Sequence, residues 1–194
     1  MRVRAVVPVK DFTDAKGRLA AVLSPGERAA LAEALARTTL GELAGFDPLV
    51  AGDTDAVEQW AASVGAASVR TPAGLNRSVT TAVDAVDSEL VAVCHADLAF
   101  PAGLGMLLAE PRPLIVADRH GTGTNVLVVP TDAGFVFAYG ADSFALHRAE
   151  AKRLDIDLEV VDDPRLAWDV DTPADLDTPP DWGTPPWLSS RTRT

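Results

Sequence analysis

Short apolar runs alternate along this chain with stretches of helical period, and that alternation limits the fold more than any other feature of the sequence. It is the pattern of an α/β protein, in which the strands of a mostly parallel central sheet are joined by crossover helices that flank it. Val3 to Val9, Pro48 to Ala51, Ala67 to Arg70, Leu90 to Cys94, Leu114 to Ala117 and Val126 to Val129 read as strands, and Phe135 to Tyr139 as one more. Leu158 to Val161 and Ala167 to Val170 read as extended. Ser24-Pro25-Gly26-Glu27 supplies a cap, a proline at the first helical position and a glutamate three residues after the cap, so a helix starts there, with Leu31, Leu35 and Leu43 on one face. Asp53 or Thr54 caps a second helix that runs through Trp60 and Val64 and ends at Gly65. Asn76 to Val86, Gly103 to Leu108 and Ser143 to Leu154 are further helices, the last amphipathic with His147 on its surface.

A length of 194 residues suits one domain with a real core, expected over residues 1–177. Residues 178–194, with Pro179, Pro180, Gly183, Pro185 and Pro186, read as a flexible tail. Seventeen basic against 28 acidic residues give a net charge of −11, which repels polymeric nucleic acid and anionic membrane. The single Cys94 leaves no internal disulfide. The first apolar run, broken by Pro8 and Lys10, is too short for a signal peptide or a membrane span, so the cytoplasm is the expected compartment.

Against that acidic background, two of only three lysines, Lys10 and Lys16, stand with Arg18 just after the first strand. In open α/β sheets ligands bind beyond the carboxyl ends of the strands. Two ammonium groups and a guanidinium there suit a triphosphate, although a solvated basic loop would look the same, and no Walker-type glycine pattern accompanies them. Asp169 and Asp171 lie two apart on an extended segment, about 6.6 Å between Cα atoms at ~3.3 Å per residue, and share a face. Two such carboxylates repel unless a cation lies between them, and Mg²⁺ takes one or two carboxylates and completes its shell with water and phosphate oxygens. Asp171 before Pro173 and Asp175 is equally a good helix cap. Asp97 follows the central strand and by itself decides nothing. Asp118-Arg119-His120-Gly121-Thr122-Gly123-Thr124-Asn125 combines glycines and hydroxyls that suit a phosphate or carboxylate, or make a flexible hairpin. Ser143, at a helix start, binds an anion or caps the helix. Cys94, His95, His120 and His147 have no zinc spacing, and Cys94 reads as a buried strand residue.

Taken in order, these segments resemble the 2-phospho-L-lactate and phosphoenolpyruvate guanylyltransferases of coenzyme F(420) biosynthesis. The resemblance runs to about Asp177 and rests on Val7-Pro8-Val9-Lys10, Ala15-Lys16-Gly17-Arg18-Leu19, Gly74-Leu75-Asn76, Asp97, Asp118 to Asn125, Gly140 with Ser143-Phe144, and Asp169-Val170-Asp171-Thr172-Pro173. It implies a single-domain, Rossmann-like nucleotidyltransferase fold related to the molybdopterin guanylyltransferases. It implies that Lys10, Lys16 and Arg18 hold the GTP phosphates, with Asp97 among the catalytic residues, and that Gly74 and Asn76 lie near the nucleotide. Asp97, Asp169 and Asp171 would bind Mg²⁺, and Thr124, Asn125, Gly140 and Ser143 would receive a phosphorylated three-carbon acid. One departure stands out: Cys94-His95-Ala96-Asp97-Leu98-Ala99-Phe100-Pro101 replaces the family's Pro-Ala-Asp-Leu-Pro, with Asp97 retained.

The implied reaction joins the acceptor phosphate to the GTP α-phosphorus and releases pyrophosphate. The acceptor phosphate, with a second pKa of about 6, is anionic without a dedicated base. Transfer to 3-phosphoglycerate or a sugar phosphate, and a non-catalytic nucleotide-binding module, stay open as alternatives. So do a homodimer and hand-over of the product to the next enzyme.

Overall fold

The computed structural model describes residues 1–189. Its centre is a seven-stranded sheet made of β1 (Val3–Pro8), β2 (Leu49–Gly52), β3 (Ala67–Arg70), β4 (Leu90–Cys94), β5 (Leu114–Ala117), β6 (Thr124–Pro130) and β7 (Glu159–Val160). The spatial order is β3-β2-β1-β4-β6-β5-β7. β6 runs antiparallel to both β4 and β5, and the remaining pairings are parallel. The expected mostly parallel sheet is therefore present. The reversal of β6 places its first residues at the same edge as the carboxyl ends of β1 and β4.

The helices are α1 (Pro25–Glu42), α2 (Asp55–Ser63), α3 (Leu75–Asp84), α4 (Leu104–Leu108), α5 (Ser143–Arg153) and α6 (Pro186–Ser189). The capping box starts α1 as expected: Glu27 N–H donates to Ser24 Oγ at 3.4 Å, and Ser24 N–H to Glu27 Oε2 at 2.9 Å. Its inner face presents Leu31, Leu35, Ala36 and Leu40. At α2 the cap is Thr54, whose Oγ1 accepts from the Val57 amide at 3.3 Å. One apolar cluster covers each face of the sheet, with Val7, Leu40 and Leu98 in one and Val6, Val79 and Leu127 in the other. No helix among the described residues is long and apolar enough to cross a membrane.

Four local expectations change. Thr124 and Asn125 are the first residues of β6 rather than loop residues, and both are buried. The segment 135–139 is extended but joins no strand. Phe135, Phe137 and Tyr139 point into the core while Val136 is exposed, so the alternation is that of a strand. Its amides are taken instead by side chains: Val136 N–H by Glu150, Ala138 N–H by His147 and Tyr139 N–H by Asn76. His147, expected on the surface, is fully buried.

The fourth concerns residues 178–189. They fold back on α1, forming a 3₁₀ turn at Pro180–Trp182 and then α6, and Trp187 is buried. Trp187 joins Leu19, Leu31, Leu35, Ala99, Phe100 and Val170 in a third cluster beyond the strand ends. Proline is tolerated at the first position of each of these short turns, and burial of tryptophan apolar area holds the segment down. The rest of the expected tail, residues 190–194, lies outside the described residues.

Candidate active site

The loops after β1 and β4, the start of β6, the entry to α5 and the segment 169–171 surround one cavity of about 730 Å³ at the carboxyl edge of the sheet. Lys10, Lys16, Arg18, Gly74, Asp97, Thr124, Asn125, Gly140, Ser143, Asp169 and Asp171 all line it. Asn76 does not. Its amide clamps Tyr139, which does line the cavity, accepting from Tyr139 N–H at 2.6 Å and donating to Tyr139 O at 3.1 Å.

One wall of the cavity is charged. Val170 N–H donates to Asp97 O at 3.0 Å and Ala99 N–H to Trp168 O at 2.7 Å, a short antiparallel pairing that brings Asp97 beside the 169–171 segment. Lys16 stands opposite, its backbone in the left-handed region at φ 55°. Its ammonium lies 2.6 Å from Asp97 Oδ2 and 3.0 Å from Asp171 Oδ1. Burial alone would push that ammonium down, but the two carboxylates outweigh it and hold the pKa above the ordinary lysine value. Arg18, mostly exposed, reaches Asp171 Oδ2 at 3.5 Å. Lys16 thus faces the acids rather than standing free for phosphates.

Asp171 is not a helix cap. Thr172 precedes the 3₁₀ turn at Pro173–Leu176, and Asp175 Oδ2 accepts from the amides of Asp171 and Thr172, leaving the Asp171 carboxylate to the cavity. Burial, together with Asp97 and Asp171, pushes Asp169 up to about 6. Arg28, which the sequence did not single out, fastens the basic loop by donating to Ala15 O at 3.4 Å and Leu23 O at 3.1 Å.

Among the described residues no three His, Cys, Asp or Glu side chains form a ready-made metal site. The donor set nevertheless suits a hard cation. Asp97 Oδ1 has no hydrogen-bond partner, Asp169 is disfavoured as an anion by burial and by Asp97 and Asp171, and a lysine ammonium already sits between two of the carboxylates.

The opposite wall is built mainly of hydroxyls and backbone, with Asp118 as its acidic member. Thr124 and Ser143 are buried, and Ser143 Oγ donates to Thr124 Oγ1 at 3.3 Å. Ser143 does not cap α5, which begins after Asp142; the Ser143 amide bonds Gly140 O and the Phe144 amide bonds Thr122 O. The helix end therefore has fewer free donors than a bare N-terminus. Gly140, at φ 127°, takes a backbone conformation that a side chain would strain. The preceding glycine-rich loop is knit around Asp118, whose Oδ1 accepts from Thr122 N–H at 2.8 Å, and a Cβ on Gly123 would come within 2.9 Å of Asp118 Oδ2. Gly123 is thus needed for the turn itself. Asn125 spends its amide N–H on Leu166 O at 3.1 Å.

Sheet order, reversed strand and edge cavity define the class, an α/β nucleotidyltransferase fold. A nucleotidyl transferase from Methanothermobacter thermautotroptrophicus superposes with a TM-score of 0.62 at 16% identity, covering 90% of this chain and 94% of that one. A CMP-2-keto-3-deoxy-manno-octonic acid synthetase complexed with CTP superposes at 0.57 and 14% identity, covering 91% and 96%. At the level of sequence, residues 3–178 match the family described as guanylyl transferase CofC like, and the chain belongs to that family. It is 39% identical over 190 residues to a phosphoenolpyruvate guanylyltransferase of Conexibacter woesei, covering 89% of this chain and 85% of the relative. A 2-phospho-L-lactate guanylyltransferase of Natronomonas pharaonis is 38% identical over 164 residues, covering 81% and 75%. A 3-phospho-D-glycerate guanylyltransferase of Phenylobacterium zucineum is 34% identical over 187 residues, covering 87% and 85%.

Proposed function

We propose that this chain transfers GMP from GTP to the phosphate of phosphoenolpyruvate or 2-phospho-L-lactate, releasing pyrophosphate, as a step of coenzyme F(420) biosynthesis. The observation that carries this reading is one cavity with a wall of lysine, arginine and aspartates suited to a metal–triphosphate and, facing it, the hydroxyls of Thr124 and Ser143 suited to a small anion, in a chain of this family. Asp97, Asp169 and Asp171 would hold Mg²⁺, the first and last exchanging the Lys16 ammonium for it. When bound, the metal neutralises charge on the phosphates and polarises the phosphorus under attack.

The chain's own residues bind and orient. Lys16, released from the carboxylates, joins Lys10 and Arg18 on the triphosphate, and Gly74 at the start of α3 borders the nucleotide. Thr124, Ser143 and the backbone at Gly140 receive the phosphorylated acid, whose phosphate oxygen needs no proton removed. Two polyanions approach each other in this reaction, so positioning and charge cancellation carry the catalysis.

The test is product mass spectrometry with GTP and phosphoenolpyruvate, 2-phospho-L-lactate or 3-phosphoglycerate, each with and without EDTA. A guanylylated acid that forms only with divalent metal is the expected result. Product undiminished by EDTA would remove Mg²⁺, and no product from any of the three acids would remove the guanylyl-transfer reading.

A further inference from the structure

His147 lies behind Thr124, fully buried, with no part in the chemistry above. A buried imidazole is costly unless its nitrogens are bonded, and here both are. Nε2 is 2.9 Å from the Ala138 amide nitrogen. The amide can only donate, so Nε2 is the bare nitrogen and the proton of the neutral ring sits on Nδ1. Nδ1 is 3.0 Å from Thr124 Oγ1 and therefore donates to it. Ser143 Oγ donates to the same oxygen. A hydroxyl oxygen has two lone pairs, and these two bonds use both. The Thr124 proton has to leave in the remaining direction.

We infer that His147 is a positioning residue: by donating from Nδ1 it holds the Thr124 hydroxyl as a proton donor toward the cavity, where it meets an anionic oxygen of the phosphorylated acid. The inference rests on the acceptor pocket proposed above. With the other tautomer, Thr124 would donate to the ring and turn a lone pair toward the anion, which repels. Burial, the larger cause, and the neighbouring His95 push His147 down to about 4, so the ring stays neutral at working pH. The Ala138 amide that fixes the tautomer comes from the extended segment 135–139, which the sheet does not use and which is thereby given a task.

Asparagine places its amide near the Nδ1 position and glutamine near Nε2, so two variants separate the two bonds. His147→Gln, which keeps only the Ala138 contact, should raise KM for the acid about tenfold while KM for GTP moves less than about twofold, since one oriented bond to a charged group is lost. His147→Asn, which keeps the Thr124 contact, should return KM for the acid to within about threefold of wild type even if it melts lower. Thr124→Val reports on the pocket itself. If it leaves KM for the acid unchanged, the acceptor pocket is misplaced; if it raises that KM while His147→Gln does not, the pocket stands and the role of His147 falls. Nitrogen-15 NMR of the wild-type imidazole needs no variant to fold. A neutral Nδ1-protonated ring is expected, and an Nε2-protonated ring overturns the inference.

Discussion

The two walls of the cavity meet the same problem, polar groups out of bulk water, in opposite ways. On the charged wall Lys16, Asp97, Asp169 and Asp171 leave charge incompletely matched: Asp97 Oδ1 has no partner and Asp169 is pushed up to about 6. On the other wall the hydroxyls of Thr124 and Ser143 and, behind them, both nitrogens of His147 are already bonded within the protein, and the Tyr139 hydroxyl is the exception, buried without a partner. A wall left unsatisfied is one that a ligand completes, at a cost in stability before it arrives. A wall satisfied in advance is rigid and can orient a small substrate without reorganising. The contrast teaches that stability and chemistry are divided between the two sides of this site rather than mixed in each.

The contrast breaks most sharply at Asp97. Asp97→Asn should lower kcat/KM on the order of a thousandfold, the scale of several kcal/mol of lost charge stabilisation, and should also lower the melting temperature because the buried Lys16 ammonium loses one of its two carboxylates. Steady-state rates and calorimetric melting on one preparation would show it, and a near-normal rate would remove Asp97 from the chemistry.

Acid titration of stability ranks next. His147 has a folded pKa of about 4 against 6.5, so the unfolded chain binds more protons between those values, and its contribution is present above pH 6.5 and lost as pH falls through 4. The full loss approaches ~3 kcal/mol for a buried ring. Asp169, raised from 3.8 to about 6, has the opposite sign: the folded state binds more protons, and its contribution is present below pH 4 and lost as pH rises through 6. Melting curves of the wild type, His147→Asn and Asp169→Asn from pH 4 to 8 should therefore show the two variants departing from wild type in opposite senses.

A smaller effect sharpens the same point. At pH 7.5, Asp169→Asn should stabilise the free protein by ~1–2 kcal/mol, discounted for its partial exposure, while reducing turnover. A variant both less stable and less active would show Asp169 to be structural. Ser143→Ala should have the smallest effect, raising KM for the acid a few-fold through loss of one neutral hydrogen bond of ~1 kcal/mol, with KM for GTP unmoved. A selective effect on GTP would exchange the roles assigned to the two walls.

Residues of both walls stand out in the sequence, Lys10, Lys16, Arg18, Asp97, Asp169 and Asp171 for one and Thr124, Asn125, Gly140 and Ser143 for the other, but the bonding behind the second wall does not. Lysines and aspartates just past strand ends have little structural use, so their positions announce a site. Even so, the pairing of Lys16 with Asp97 and Asp171 joins residues far apart in the chain, and no spacing reveals it. Buried hydroxyls and a neutral imidazole look like surface residues in a linear reading. On α5 the apolar Leu146 is exposed while Ser143, His147 and Ala151, spaced by four, form the buried face. That spacing was the available signal. Alternation in Phe135 to Tyr139 was likewise real, but whether a strand or side chains accept its amides depends on Asn76, His147 and Glu150, which the alternation does not contain. The strands and α1 were legible because local patterning and capping decide them. In residues 178–189 the prolines suggest a flexible tail, whereas Trp182 and Trp187, packed on the third cluster, decide the outcome.

Trp187 closes a cluster with members within three residues of Lys16, Arg18, Asp97, Asp169 and Asp171: Leu19 beside the two basic residues, Ala99 and Phe100 after Asp97, Val170 between Asp169 and Asp171. Synthesis proceeds from the amino terminus and domains begin to fold as they emerge, so the sheet can be assembled while the last residues are still being added. The three charged loops receive the Trp187 side of their common support only when that residue has been added. A truncated translation product would hold a nearly whole sheet, yet its carboxylates and lysine would rest on an unfinished platform.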